Sequence, residues 1–179
     1  DQCRVSTAET QGLSLTQGLE KAVQMIHQVQ QHHKKVVLIG NGGSAAIASH
    51  QAVDLWKNGG IRAVAFNDAS LITCISNDYG YAEVFEKPIE MFCDSGDLII
   101  AISSSGKSEN ILNGVEAGLR MGCPVITYSG FSPENPLYTM GDLNFYLPSN
   151  SYGIVEIGHL LLIHSVIDET IARQKFRTT

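Results

Sequence analysis

His50 and Asp54 stand four residues apart in a stretch of helical character, so an imidazole and a carboxylate share one face. That pair suits a divalent metal such as zinc, or an acid–base couple. Taken alone, a histidine such as His50 is more often a helix-surface or core residue than a ligand. Near the other end of the chain, Glu156, His159 and His164 lie in an otherwise apolar run. Carboxylates and imidazoles in such surroundings need partners, so these three call for a role. Glu156 and His164 are eight residues apart, about 12 Å along an ideal helix. One ion held by both requires an irregular helix start or a ligand from a second subunit, and a site shared between subunits is the arrangement favoured.

Two loops carry a different chemistry. Residues 40–44 (Gly40, Asn41, Gly42, Gly43, Ser44) follow the apolar run 36–39, and residues 103–108 (Ser103, Ser104, Ser105, Gly106, Lys107, Ser108) follow 98–102. Each precedes a helix-like stretch. A strand turning sharply into a helix aims free N–H groups and the positive end of a helix dipole at one spot, which binds phosphate well. Two such corners suggest a phosphorylated small molecule. Gly40, Gly42 and Ala45 also match a dinucleotide fingerprint, but a dinucleotide site gives the second loop no task. The 103–108 loop imitates the end of a Walker A motif, with Ala101 where that motif needs glycine.

The elements that must position these groups alternate along the chain. Apolar residues Leu15, Leu19, Val23, Ile26 and Val29 predict a long amphipathic helix over 14–33, either a lid on the core or a subunit contact. Strands are expected at 36–39, 62–66, 97–102, 125–128 and 143–147. Helices are expected at 44–57, 81–92, 108–121 and 154–173, the last buried at 160–163. Alternation of this kind argues for an α/β fold with a parallel sheet covered on both faces and ligands beyond the strands' C-terminal ends. A single domain is expected over 1–179, with an N-terminal segment and helix (1–33) and an α/β core (34–173).

Composition narrows the partners. A formal net charge of −6 weighs against nucleic acid or an acidic membrane. The four cysteines, Cys3, Cys74, Cys93 and Cys123, form no C-x-x-C pair and fit no disulfide framework, and Cys74 and Cys123 read as small apolar fillers. With no signal pattern or membrane-length apolar run, a cytoplasmic location is the expectation. The chain opens on Asp1 rather than Met, which leaves trimming at the front open.

The 39–46 loop with His50, residues 76–80, the 102–108 loop and the Glu156…His159…His164 helix together resemble the sugar isomerase (SIS) domain, specifically its phosphoheptose isomerase branch. The resemblance runs from about residue 34 to 168. It implies a five-stranded parallel sheet flanked by helices, a homotetramer with active sites at subunit interfaces, and zinc. The reaction it implies is metal-assisted interconversion of sedoheptulose 7-phosphate and D-glycero-D-manno-heptose 7-phosphate. Carried over by position, Ser103, Ser104, Ser105 and Ser108 would hold phosphate. Asn41, Gly42, Gly43, Ser44 and Asp78 would meet the sugar. His50, Asp54, Glu156 and His164 would be metal ligands, with Asp54 or Glu156 as base and His164 as acid. Asp54 stands where the family usually has glutamate, Glu156 where it has glutamine, and Gly153 where aspartate is common. Lys107 replaces a neutral residue. Three other readings follow from these departures: an isomerase of another phosphosugar, a phosphosugar-binding regulator, and a non-catalytic protein of the DnaA initiator-associating type.

Overall fold

The computed structural model describes residues 2–177. Among them one sheet of seven strands runs β2-β1-β7-β6-β5-β3-β4. Five strands are mutually parallel: β3 (Val36–Gly40), β4 (Ala63–Ala65), β5 (Leu98–Ser103), β6 (Val125–Gly130) and β7 (Leu143–Leu147). These are the five strands expected from sequence, with ends shifted by one or two residues. The additions are β1 (Arg4–Ser6) and β2 (Gln11–Leu13), an antiparallel hairpin that extends the sheet beside β7. Each is three residues long, too short for alternation to register, although Val5 is fully buried.

The strands β3 and β5 are buried throughout and apolar up to the closing Ser103 of β5, as a sheet covered on both faces demands. One face carries α1 (Leu15–Gln31), α2 (Gly43–Gly59) and α6 (Tyr152–Arg177). The other carries α3 (Ala69–Asp78), α4 (Glu86–Phe92) and α5 (Glu109–Arg120). Helix α1 starts at Ser14, whose Oγ accepts from the Gln17 N–H while Gln17 Oε1 accepts from the Ser14 N–H. This reciprocal cap stabilises the first turn by about 1 kcal/mol. Val23, Ile26 and Val29 of α1 are buried against the core, so it serves as a lid.

Two stretches differ from expectation. Residues 81–92 do not form one helix: a 3-10 turn (Tyr81–Glu83) gives way to α4. Pro88 accounts for the break, because its ring conflicts with the carbonyl four residues back and it donates no N–H. Helix α3 was not expected: only Leu71, Ile72 and Ile75 of its ten residues turn toward the core, a face too short for a helical repeat to stand out. Cys74 on α3 is exposed rather than a core filler, whereas Cys123 is buried as expected.

The chain reverses its direction of progress through the sheet at β3, with β4 on one side and β5 on the other. Gly40, the last residue of β3, is in register with Ile102 of β5. The two glycine- and serine-rich loops therefore leave adjacent strands at the topological switch point, the crevice where open α/β sheets bind ligands.

Candidate active site

Between the two loops lies a cavity of about 120 Å³ lined by Asn41 and Ser44 of the first, by Ile102, Ser103, Ser104, Ser105 and Ser108 of the second, and by Tyr152 and Glu156 of α6. The second loop turns back at Gly106, where φ is +62° and a β-carbon would run into the side chain of Asn135. Only glycine fits. Asn135 is itself buried and tied to Gly130 and Ser132, so the loop is fixed against a rigid neighbour. The Ser103 hydroxyl accepts from the Gly106 N–H at 3.2 Å and donates to Ser108 Oγ at 3.5 Å. Ser108 occupies the N-cap of α5 without using its side chain as a cap. Ser104 Oγ is buried with no partner among the described residues. A buried orphan hydroxyl in native protein calls for a ligand or water, and this one stands beside a helix N-terminus.

Asn110, a residue that sequence reasoning missed, fixes the first loop to the start of α5. Asn41 and Asn110 exchange amide hydrogen bonds, each at 2.9 Å, and Tyr81 donates a third bond to Asn41 Oδ1 at 3.0 Å. The Asn41 carbonyl is thereby fully used. Its part in the site is chiefly to clamp the first loop to α5. Asn110 is almost wholly buried in the first turn of α5, and a buried amide so close to a serine loop is the signal that could have revealed it.

The predicted metal residues divide into two groups. His50 Nε2 lies 3.1 Å from Asp54 Oδ2, and His164 Nδ1 lies 3.9 Å from the same oxygen. The two imidazoles meet edge to face with centroids 5.2 Å apart. One ligand atom from each of the three falls within 4.8 Å of the others. A zinc ion about 2.0–2.2 Å from N and O ligands keeps them roughly 3.3–3.5 Å apart in a tetrahedron. The three donors are of the right kind for such an ion and would reach that spacing by closing inward by about 1 Å. Asp54 is held from behind, its Oδ1 accepting from Asn58 Nδ2 at 3.1 Å. Glu156 is outside this cluster. The straight run of α6 carries it to the serine pocket, where a β-carbon on Gly43 would sit 2.5 Å from its Oε1.

Other expected residues are placed as follows. Gly42 caps α2 in a conformation (φ 55°, ψ −120°) open to glycine, and Gly43 starts that helix beside Glu156. Asp78 is exposed at the end of α3, accepting from Asn77 Nδ2, and does not line the cavity. Tyr79, Tyr81 and Tyr152 are all exposed, and Tyr152 lines the cavity. His159 is structural. Fully buried, it donates from Nε2 to the Ser129 carbonyl at 3.1 Å, and burial pushes its pKa down to about 4 despite that bond.

This depressed pKa makes the fold acid-sensitive. The unfolded imidazole takes a proton near pH 6.5 whereas the folded one resists until about 4. Stability attributable to His159 is therefore complete above pH 6.5 and is lost as pH falls through that window, by up to ~3 kcal/mol. Urea denaturation at pH 7 and pH 4.5 should show a clearly smaller loss for His159→Gln than for the wild type. Equal losses would show that His159 does not carry the acid sensitivity.

A model of the SIS domain matches residues 6–130. The phosphoheptose isomerase of Shewanella denitrificans is 35% identical over 175 residues, covering 93% of this chain and 87% of that one. The phosphoheptose isomerase of Aliarcobacter butzleri is 34% identical over 159 residues, covering 86% and 84%.

The chain belongs to the SIS-domain family, in its phosphoheptose isomerase branch.

The solved structure of phosphoheptose isomerase from Neisseria gonorrhoeae superposes with a TM-score of 0.81 at 31% identity, over 87% of each chain. The resemblance read from the two loops and the histidine helix is thus borne out, as is the α/β architecture. No helix among the described residues is long and apolar enough to cross a membrane.

Proposed function

We propose that the chain is an aldose–ketose isomerase of phosphorylated sugars, acting in the cytoplasm and converting sedoheptulose 7-phosphate to D-glycero-D-manno-heptose 7-phosphate. The observation that carries this reading is the pairing, along α2 and α6, of a serine-lined anion pocket with a His50–Asp54–His164 cluster. The kinship with named phosphoheptose isomerases supports it.

Phosphate binds at Ser103, Ser104, Ser105 and Ser108, and this anchor orients the rest of the sugar. Asn41 and Ser44, which line the cavity, meet sugar hydroxyls beside the Gly42 and Gly43 backbone. Asp54 or Glu156 moves the proton between C1 and C2, and His164 exchanges the proton on the neighbouring oxygen. A zinc ion held by His50, Asp54 and His164 would supply a Lewis acid for the substrate carbonyl.

A homotetramer with sites near subunit interfaces accompanies this reading. Ile154, Ile157 and Leu161 form an outward stripe on α6, each more than 60% exposed. Apolar patches of this kind mark contact surfaces, and the stripe leads directly to His164.

Incubation with sedoheptulose 7-phosphate in deuterium oxide, with and without zinc, tests the activity. Deuterium should enter at C1 or C2 with formation of the aldose. Tight binding without exchange would identify a regulator instead.

A further inference from the structure

A single charged side chain lines the serine pocket, and it is an acid. Glu156 enters from α6 beside the hydroxyls of Ser103, Ser105 and Ser108, and neither lysine, arginine nor histidine lines the space. Lys107, the cation of the loop, is exposed and outside the lining. The Glu156 carboxylate abuts Gly43 in the first turn of α2. The positive end of that helix already has an anion from the chain itself. The donors left for a ligand's anion are those of the second loop, which suffice for one phosphate.

The cavity is small, about 120 Å³, and backed by Ile102 and the buried sheet. Any second anion on a short ligand anchored there stays within about one screening length of Glu156, ~8 Å at physiological salt. Buried walls weaken screening further. Like charges at such separations shift binding by about tenfold or more.

We propose that Glu156 is the specificity-determining residue of this pocket, a charge filter that admits one phosphate ester on a neutral polyhydroxy chain and rejects ligands bearing a second anion. The proposal rests on the isomerase reading above and narrows its substrate class. Monophosphorylated neutral aldoses and ketoses are accepted, whereas sugar-acid phosphates and bisphosphates are excluded.

A seven-carbon alditol 7-phosphate and the aldonate 7-phosphate of the same configuration differ only at C1, hydroxymethyl against carboxylate. Their affinities are measured by calorimetry on the full chain at equal metal content, for the wild type, Glu156→Gln and Glu156→Asp. The wild type should prefer the alditol by about tenfold or more. Glu156→Gln should narrow the preference to within about threefold, and Glu156→Asp should keep it. Glu156→Ala serves as a second neutral variant should the glutamine form fold poorly. Equal binding of the two ligands by the wild type, or a preference that survives both neutral variants, would overturn the filter. Failure of folded wild type to bind either ligand overturns the isomerase reading itself, and the filter with it.

Discussion

Replacing His164 with alanine should lower isomerase turnover by about 10²–10⁴-fold while leaving the affinity for inorganic phosphate within about twofold. The two effects separate because the two halves of the site separate. His164 stands about 12 Å along α6 from Glu156, which borders the phosphate pocket. Its ring faces His50 and Asp54 rather than any loop serine. The side chain is about one-third exposed, so its removal opens no sealed cavity in the core. Substitutions of that kind usually change stability by less than ~0.5 kcal/mol. Zinc affinity should fall in the same variant, because one of three donors is lost, and this gives a readout independent of turnover. Equal loss of phosphate affinity and turnover would mean that the helix is scaffolding. Unchanged turnover would remove His164 from the chemistry altogether.

The features legible in the sequence were those with strong local rules. A strand running into a glycine-serine corner has few alternatives, so both loops and the strands feeding them were placed within one or two residues. The His50–Asp54 pair was legible because i,i+4 spacing on a helix fixes a shared face. What escaped depended on partners distant in sequence. The β1–β2 hairpin exists because β7 offers it an edge, and three-residue strands show no periodicity of their own. The Asn41–Asn110 clamp joins residues 69 positions apart. Glu156 was legible as a residue needing a role, but its separation from the metal cluster follows from the unbroken course of α6 and from its packing along α2. Likewise, residues 160–163 read as uniformly apolar, yet only Leu162 and Ile163 are buried. Leu161 points outward at 65% exposure.

That outward leucine bears on assembly. Introducing glutamate at both Ile157 and Leu161 should reduce the wild-type assembly to single chains, as read by light scattering after size exclusion. Both side chains are about two-thirds exposed in the isolated chain, so the substitutions cost the monomer fold little. Covered by a second copy, however, each new carboxylate would be buried without a partner, a cost of several kcal/mol apiece. Two such costs on each face outweigh the burial of a short aliphatic stripe, worth roughly 1.5–3 kcal/mol per fully buried side chain. Turnover should fall with the mass, since the stripe is continuous with His164 and any group contributed by a neighbouring subunit would leave with it. Phosphate affinity, set by the loops of one chain, should change less. A wild type that is already a single chain, or a double variant that keeps the wild-type mass, would show that the stripe is no subunit contact.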